Sequence, residues 1–299
     1  MKVAVLGVGG MGKVHVREFN NLGGDVVAIL DVKEKVEEKI RILYEEFGVK
    51  VRAYYDLNKL LENEEIDAVS ICTPYELHEQ QVRTCLEKGL NALCEKPLVA
   101  NTEYENYQIV KELVDLSKKK NKILTVNTQW PSVFSYINDY VDLKKIESFS
   151  MYMEPGVKEV KMLIEHLPHT NSMLVRLIPD GNAENIRIDK KEDEIIIEFD
   201  YKNENQKCRV KYDFQFKADR PRKVGFSING KKFLRKIREN YQQSFIFDDK
   251  VIDIEDPLKI SIRKFIEAVM EKGKPLISVE EILENVRLQD EIIKAYLNN

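Results

Sequence analysis

The first 125 residues alternate short apolar runs with segments of helical periodicity. The apolar runs are continuous rather than alternating, which is typical of parallel strands that are covered on both faces. Several of the helical segments end in glycine, as helices often do. Repeated strand–helix units of this kind predict a doubly wound α/β sheet. The predicted strands lie at residues 2–8, 25–32, 67–73, 91–95 and 122–128.

The pattern changes beyond the last of these runs. Residues 207–216 alternate strictly between apolar and polar, as an antiparallel strand does when one of its faces is buried. Asn229-Gly230 is a strong signal for a two-residue hairpin. This half of the chain therefore predicts a mostly antiparallel open sheet that is closed by two helices. Companion strands are predicted at 145–153, 184–188, 194–201 and 223–228, and helices at 257–273 and 278–297.

At 299 residues, the chain is long enough for two domains with a core each. The change of pattern predicts a doubly wound parallel α/β domain at 1–125 and an α+β domain with a mostly antiparallel open sheet at 126–299. We expect the two closing helices to pack near the junction of these domains.

Composition and charge argue against two classes of partner. The formal net charge is −4, so the chain lacks the basic footprint of a nucleic-acid-binding protein. No apolar run approaches the ~18 residues that a membrane span needs. The four cysteines show no C-x-x-C spacing and suit a reducing compartment. We therefore expect a cytoplasmic protein that binds neither nucleic acid nor membrane.

A glycine-rich turn stands between the first predicted strand and the first helix. Gly7, Gly9 and Gly12 have the G-x-G-x-x-G spacing of a dinucleotide-binding loop. The first glycine permits a tight turn, the second the close approach of a pyrophosphate, and the third close packing of helix on strand. The helix amino terminus offers free amides to the phosphates. The predicted cofactor-binding loop is Gly7, Val8, Gly9, Gly10, Met11 and Gly12.

An acidic residue follows this loop at the distance that the motif requires. Asp31 ends the second predicted strand, nineteen residues after Gly12. A carboxylate at this position accepts hydrogen bonds from the ribose hydroxyls and repels a 2′-phosphate. Asp31 is therefore predicted to bind the cofactor and to favour NAD, although the nearby Lys33 leaves NADP open.

Polar residues also follow the next two predicted strands. Thr73 and Pro74 come after one strand, with His78 in the helix beyond, and Glu95 and Lys96 emerge from the other. Ligands of open α/β sheets bind beyond the carboxyl ends of the strands, so these residues are expected beside the cofactor. Two simpler interpretations stay open. His78 would be a packed or capping histidine, and Glu95 with Lys96 a surface ion pair.

Four stretches resemble the Gfo/Idh/MocA oxidoreductase family, the group of glucose–fructose oxidoreductase and inositol dehydrogenase: GVGGMGKVH, DAVSICTPYELH, CEKPLVANTEY and FIEAVMEKGKPLISVEEILENVRLQDEII. The resemblance runs nearly end to end. It implies an amino-terminal Rossmann domain that carries a nicotinamide cofactor and a second domain whose open sheet covers the substrate. It also implies a homodimer or homotetramer with contacts through that sheet.

The same resemblance implies roles for single residues. Lys96, in the E-K-P motif, would lie beside the nicotinamide and hydrogen-bond the reacting substrate, and Glu95 would contact the cofactor. The Lys96–Pro97 peptide bond would be cis, which proline permits. Thr73 and Pro74 would line the nicotinamide side.

The family's catalytic histidine usually lies in a D-x-x-x-H segment, and Glu165 and His169 have that spacing here. The sequence predicts Pro168 at the first position of a helix, so that the helix dipole would disfavour a charged His169. A neutral imidazole can take a proton from a substrate hydroxyl. Two alternatives stay open: a structural histidine at a helix start, and a metal site of Glu165, His166 and His169. No metal is assigned, because no third-ligand motif supports one.

Three positions depart from the family pattern. Tyr75 stands where the family often has asparagine, and Glu165 replaces the usual aspartate but remains a substrate-binding candidate. Residues 124–134 correspond to a segment that often brings an arginine into the site, and the candidates here are Gln129 and Trp130. Trp130 could stack on a sugar face or fill the core.

The predicted function is NAD(P)-dependent oxidoreduction of a sugar, a polyol or a similar small hydroxylated or oxo compound. Lys96 would polarise the reacting oxygen and His169 would move its proton, while hydride passes between substrate carbon and nicotinamide. Two alternatives use the same fold. One is a redox-silent, nicotinamide-binding sensor or regulator, and the other is an NAD-dependent glycosidase that regenerates its cofactor in each cycle.

Overall fold

The computed structural model describes residues 1–101, 106–238 and 242–299. The chain folds into two compact units. The first unit comprises Met1–Asn101, Gln108–Asn127 and Leu258–Val279. The second consists mainly of Thr128–Pro257 and Glu280–Asn299.

Six strands form the sheet of the first unit: β1 (Lys2–Leu6), β2 (Asp25–Leu30), β3 (Arg52–Tyr54), β4 (Ala68–Ile71), β5 (Asn91–Cys94) and β6 (Leu124–Val126). All pairs are parallel, in the order β3-β2-β1-β4-β5-β6. The helices between them are α1 (Gly10–Asn21), α2 (Lys33–Phe47), α3 (Leu57–Asn63), α4 (His78–Glu87) and α5 (Asn106–Lys119). The predicted doubly wound sheet is confirmed. Its order switches direction between β1 and β4, and open α/β sheets bind ligands at such a point.

The central strands of this sheet are buried along nearly their whole length, as their continuous apolarity predicts. The edge strand β3 was not predicted. It has only three residues, begins with an exposed arginine and is nowhere fully buried, so it carries no apolar run.

Eight strands form the sheet of the second unit: β7 (Ser148–Met153), β8 (Asn182–Lys190), β9 (Glu194–Lys202), β10 (Lys207–Gln215), β11 (Val224–Ile228), β12 (Lys231–Ile237), β13 (Gln243–Phe247) and β14 (Lys250–Ile254). Their order is β14-β13-β12-β11-β7-β10-β9-β8. Neighbours are antiparallel except for β7 and β10. The prediction of a mostly antiparallel sheet is confirmed, and its buried face is rich in packed aromatic rings.

The predicted hairpin at Asn229-Gly230 joins β11 to β12. Both residues have positive φ angles of 51° and 80°, which is the conformation that a primed turn requires. Strands β13 and β14 were not predicted. Each has only five residues, so neither gives a long alternating pattern.

Helix α7 (Val160–Leu177) corrects the predicted helix start at Pro168. The helix follows the short α6 (Phe134–Ile137) and begins eight residues earlier than predicted, with Pro168 in its interior. Buried residues from Met162 to Leu167 give the helix an apolar face before the proline, and this packing outweighs the helix-breaking tendency of Pro168.

The chain closes with α8 (Pro257–Val269) and α9 (Val279–Leu297), so both predicted terminal helices are present. Helix α8 contributes Leu258, Ile262 and Phe265 to the hydrophobic core of the first unit. The ring of Phe265 meets that of Phe19 edge-on at 6.2 Å. This core is therefore completed by residues from the far end of the chain.

Candidate functional site

The glycine loop connects β1 to α1, and packing explains two of its glycines. Gly7 has φ +81°, and a Cβ atom there would lie 2.6 Å from the backbone nitrogen of Thr73. A Cβ atom on Gly12 would clash with the carbonyl oxygen of Gly7. Gly7 therefore provides the turn, and Gly12 allows the helix to approach it closely.

Packing does not explain the glycines at positions 9 and 10. A Cβ atom on either would have no neighbour within 4 Å. Gly9 is also the N-cap of α1 and provides no side-chain cap, so the first turn of the helix presents its amide groups without a side-chain acceptor. Backbone that is open and rich in donors at a helix start suits a phosphate group. Within the loop, Val8 is buried and Met11 is largely exposed.

Asp31 follows β2 and lies beside the glycine loop. Its Oδ2 accepts a hydrogen bond of 2.8 Å from the amide of Val8, and its Oδ1 accepts one of 2.8 Å from the amide of Val32. Each carboxylate oxygen retains a further lone pair for a ribose hydroxyl. The Lys33 ammonium lies 5.4 Å from the centre of the Tyr55 ring, in a cation–π contact.

Thr73 and His78 are held by contacts within the first unit. The Thr73 hydroxyl donates to Oε1 of Gln81 at 2.7 Å. His78 is buried, and its ring nitrogens lie 2.7 Å from the carbonyl oxygen of Pro97 and 2.9 Å from that of Thr73. These contacts favour the packed interpretation of His78 over its prediction as a cofactor ligand, because both nitrogens are already engaged. Pro74 directly precedes a short 3₁₀ helix at Tyr75–Leu77.

Glu95 lies in a buried polar network that the sequence analysis did not identify. His15 on α1 contacts Oε1 of Glu95 through Nε2 at 2.9 Å and the hydroxyl of Ser70 through Nδ1 at 2.8 Å. Asn127, one residue beyond β6, donates to the same Oε1 atom. His15 is fully buried and Glu95 nearly so. The surface-ion-pair interpretation is therefore wrong for Glu95, whose side chain is directed into the unit.

The two charged members of this network shift each other's pKa. Burial opposes the charge on His15, but the neighbouring Cys72 and the Glu95 carboxylate outweigh it and raise the pKa of His15 above its usual 6.5. Burial would likewise raise the pKa of Glu95, but hydrogen bonds from His15 and Asn127 and the charge of Lys96 lower it. Both groups are therefore charged near neutral pH.

Lys96 follows Glu95 and is only partly buried. The peptide bond between Lys96 and Pro97 is cis, as the resemblance implies. The network around Glu95 fixes the backbone directly before Lys96, and the Glu95 amide also donates to the Ile71 carbonyl oxygen at 2.8 Å. Lys96 thus leaves the sheet from a firmly held position at the carboxyl end of β5.

In the second unit, Glu165 and His169 are one turn apart on α7, so that they share a helix face. Both are partly exposed. His169 lies in the middle of the helix, so the predicted effect of a helix amino terminus on its charge is wrong. Nδ1 of His166 lies 3.1 Å from the Met162 carbonyl oxygen. Among the described residues, no group of three acidic, histidine or cysteine side chains could hold a metal ion.

Trp130 begins a short 3₁₀ helix, Trp130–Val133, that contacts α7. Its side chain is 4% exposed and meets the ring of Phe245 at 6.2 Å. The guanidinium of Arg235 lies over the indole, 5.4 Å from its centre. Of the two predicted roles, the structure favours packing over direct stacking on a sugar. Gln129 is partly exposed, and its carbonyl oxygen accepts a hydrogen bond from the Ser132 hydroxyl at 2.8 Å.

His15, Asn127 and Arg235 were not predicted from the sequence, for one shared reason. Each is far in sequence from its partner, and only tertiary structure brings the partners together. His15 did carry a weak signal, because it is a polar residue three positions after Gly12 on the buried side of α1.

Comparison with known proteins adds to this geometry. Residues 1–128 match the model of an oxidoreductase family, GFO_IDH_MocA, described as having an NAD-binding Rossmann fold. Over these residues the chain matches the family that the sequence resemblance names. The predictions of this family and of NAD as the class of cofactor are thereby confirmed.

Two curated relatives are inositol dehydrogenases. The chain is 39% identical over 121 residues to inositol 2-dehydrogenase from Rhodococcus erythropolis, which is 40% of this chain and 34% of that protein. It is 30% identical over 125 residues to myo-inositol 2-dehydrogenase from Thermotoga maritima, which is 42% of this chain and 35% of that protein. The matched region thus spans about a third of the length of these relatives.

The fold of the whole chain is similar to solved structures. A levoglucosan dehydrogenase in complex with NADH and levoglucosan matches with a TM-score of 0.75 at 16% identity, covering 100% of this chain and 97% of that one. This likeness concerns the fold alone, and it covers the residues beyond 128 as well. In the described part of the chain, no helix has the length and apolarity to cross a membrane.

Proposed function

We propose that the chain is an NAD-dependent dehydrogenase or reductase that acts on a sugar, a polyol or a similar hydroxylated compound. The glycine loop carries this proposal. Gly9 and Gly10 face open space at an uncapped helix start, beside the carboxylate of Asp31. A bound dinucleotide accounts for glycines that packing alone does not need.

The cofactor would be held by residues of the first unit. The amides at the start of α1 would bind the diphosphate, and Asp31 would bind the adenosine ribose. Thr73, Pro74 and Lys96 would line the nicotinamide side. Asp31 favours NAD because its negative charge would lie against the extra phosphate of NADP, and Lys33 is engaged with Tyr55.

The reaction removes a hydride and a proton from an alcohol carbon and its hydroxyl, or adds them to a carbonyl group. When bound, the nicotinamide exchanges the hydride with the substrate carbon. The Lys96 ammonium would donate a hydrogen bond to the reacting oxygen, and a ring nitrogen of His169 would take or return the hydroxyl proton. Glu165 would hold a second substrate hydroxyl, and Gln129 is a further candidate for substrate contact.

The substrate class is supported by the names of similar proteins. The relatives described above are inositol dehydrogenases, and one fold neighbour is a levoglucosan dehydrogenase. These substrates are all rings that carry several hydroxyl groups, and one such alcohol carbon would be oxidised here.

A direct test combines cofactor binding with turnover. We expect calorimetric titration to show tighter binding of NADH than of NADPH. We expect the variant Lys96→Met to retain NADH affinity and to lose turnover by at least 100-fold, in the range that positioned acid–base and hydrogen-bonding groups contribute. The substrate for turnover is found by screening inositols, sugars and sugar acids with NAD.

The matched control is Lys88→Met, which removes an exposed ammonium just after α4 and should leave turnover unchanged. Normal turnover by Lys96→Met would disprove the role of Lys96. Failure of the wild-type protein to bind either nucleotide would disprove the proposed function. Release of a sugar without net reduction of NAD would identify the glycosidase alternative instead.

We propose further that the protein works in the cytoplasm as a homodimer or homotetramer. In this proposal, residues 1–125 bind the cofactor and residues 126–299 bind the substrate. Light scattering on the purified full chain tests the oligomer, and a monomeric mass would disprove it.

A further inference from the structure

Arg235 lies on the buried face of the sheet in the second unit and has no carboxylate partner among the residues that the structure describes. Arg235 is two residues from the buried Phe233 on β12 and pairs with Phe245 on β13, so its side chain shares their face. Its guanidinium stacks on Trp130. Within residues 1–101, 106–238 and 242–299, its hydrogen bonding consists of one donation, at 3.0 Å, to the Arg222 carbonyl oxygen.

This arrangement leaves a charge and most of its donors unused. A guanidinium has five N–H donors in a planar fork, which matches the two oxygens of a carboxylate or a phosphate. Arg235 is partly buried, and even partial burial of a charge without a counter-ion is unfavourable compared with an apolar side chain in the same place. Burial and the like charge of Arg220 together lower the pKa of Arg235.

A basic loop adjoins Arg235. Residues 217–223 read KADRPRK. Two of the cations in this segment already have hydrogen-bond acceptors or an ion-pair partner. Arg222 donates to the carbonyl oxygens of Lys217 and Ala218, and Lys217 pairs with Glu154. Arg220 is exposed and has no ion pair with any acidic residue that the structure describes. Arg220 and Arg235 are thus close enough for their like charges to interact, and neither has an ion pair with an acidic residue that the structure describes.

We propose that Arg235, held by Trp130 and assisted by Arg220, binds an oxyanion group of a small-molecule ligand. The planar indole orients the fork, and Phe245 supports the indole from β13. The 3₁₀ helix that carries Trp130 contacts α7, the helix of Glu165 and His169. The substrate of the proposed dehydrogenase would accordingly be acidic, a sugar acid or a sugar phosphate, and this second statement rests on the proposed function.

The chain carries its own probe for this site, because Trp130 is its single tryptophan. We would titrate the full-length protein, without cofactor, with glucuronate, glucose 6-phosphate and neutral glucose, and follow the tryptophan fluorescence. We expect a saturable change with at least one of the two acids and none with glucose at up to about 10 mM, above the millimolar range of a weak site. The two acids separate a carboxylate ligand from a phosphate ligand.

Variants assign the response to the guanidinium. Arg235→Gln should weaken binding of the responding acid at least tenfold, and Arg220→Gln, at an exposed position, several-fold. Arg235→Lys retains the charge but loses the fork, so it should fall between Arg235→Gln and wild type. The matched control is Arg209→Gln on the exposed face of β10, which should leave binding unchanged. Should Arg235→Gln fail to fold, Arg220→Gln and weakening of wild-type binding by salt decide the question.

The proposal is overturned if neither acid changes the fluorescence, if glucose changes it equally, or if the Arg235 and Arg220 variants bind as wild type. The oxyanion site and the proposed function can each fail without the other. Acid binding without NADH binding would retain the oxyanion site and reject the dehydrogenase. Turnover of neutral polyols without acid binding would support the dehydrogenase and reject the oxyanion site.

Discussion

Glu95 and Lys96 are adjacent in the chain, yet the structure assigns them different environments. The Glu95 carboxylate points into the first unit and is held by His15 and Asn127, whereas Lys96 is partly exposed. His15 would serve the proposed role of Lys96 as a positioning residue, because it holds Glu95, the residue directly before Lys96. The charge pair is nearly inaccessible to water, so it is costly to disrupt.

This charge pair predicts a pH-dependent loss of stability in Glu95→Gln. Because the pKa of His15 is raised in the folded protein, His15 makes its full contribution to stability below pH 6.5, its ordinary pKa. This contribution is lost as the pH rises through the higher pKa of the folded protein. Because the pKa of Glu95 is lowered in the folded protein, Glu95 makes its full contribution to stability above pH 4.5, its ordinary pKa. This contribution is lost as the pH falls through the lower pKa of the folded protein. Urea unfolding of Glu95→Gln should therefore show the largest deficit in the free energy of unfolding between pH 4.5 and 6.5, about 1–3 kcal/mol, and a smaller one above about pH 10.

The control for this prediction is Glu147→Gln, which removes an exposed ion pair with Lys145. Such pairs contribute little, so this variant should unfold like the wild type at each pH. A deficit of Glu95→Gln that is equal at all pH values would show that shape, rather than charge, stabilises the network.

At the scale of single residues, the sequence predicts the glycine loop better than it predicts the buried network around Glu95. Gly7, Gly9, Gly12 and Asp31 lie close together in sequence, and local spacing is enough to predict them. His15 and Glu95 are 80 residues apart, and Arg235 is more than 100 positions from Trp130. No local pattern reports such pairs, so they appear only when the strands are assembled.

Among the elements, α7 shows how tertiary contacts can override a local signal. Proline in a helix interior removes a hydrogen bond and costs about 3 kcal/mol or more, so the sequence favoured a helix start at Pro168. In the structure, the Pro168 carbonyl oxygen accepts a hydrogen bond of 2.8 Å from the side chain of Asn285 on α9. Asn171 on α7 donates at 3.2 Å to the backbone carbonyl of Asn285 in return. The two buried asparagines thus join α7 to α9 beside the proline.

We predict that Asn285→Ala lowers the free energy of unfolding by about 1–3 kcal/mol, because it leaves the buried carbonyl of Pro168 without its donor. Asn171→Ala should cost a similar amount. The double variant should lose less than the sum, because residues in one hydrogen-bond network are coupled. Urea unfolding of the four proteins measures this coupling, with the exposed Asn298→Ala as the control. Strictly additive losses would show that the two asparagines act separately.

The strands that the sequence did not predict are all short. The central strands of the parallel sheet were predicted because a strand that is buried on both faces has a continuous run of apolar residues. Strand β10 was predicted because a strand that is buried on one face alternates between apolar and polar residues. β3, β13 and β14 are short, so hydrogen bonding to a neighbouring strand defines them more than their own composition does.

For the molecule as a whole, the core of the first unit depends on residues near the end of the chain. Phe265 on α8 is fully buried in this core and packs edge-on against Phe19. No sequence pattern marks α8 as belonging with strands formed more than 130 residues earlier, because an amphipathic helix does not specify which apolar surface it covers. The composition of each unit therefore follows from the fold rather than from a linear boundary.

Phe265→Ala tests this dependence. The substitution should lower the free energy of unfolding by about 3–5 kcal/mol, since it removes a buried aromatic ring and leaves a cavity. Met270→Ala, one residue beyond α8 and 46% exposed, should change stability by less than about 0.5 kcal/mol. NADH should recover part of the loss in Phe265→Ala, because a ligand that binds only the folded state shifts unfolding by mass action. A loss below about 1 kcal/mol would show that α8 contributes little to the core, and unfolding that NADH does not change would count against cofactor binding by this unit.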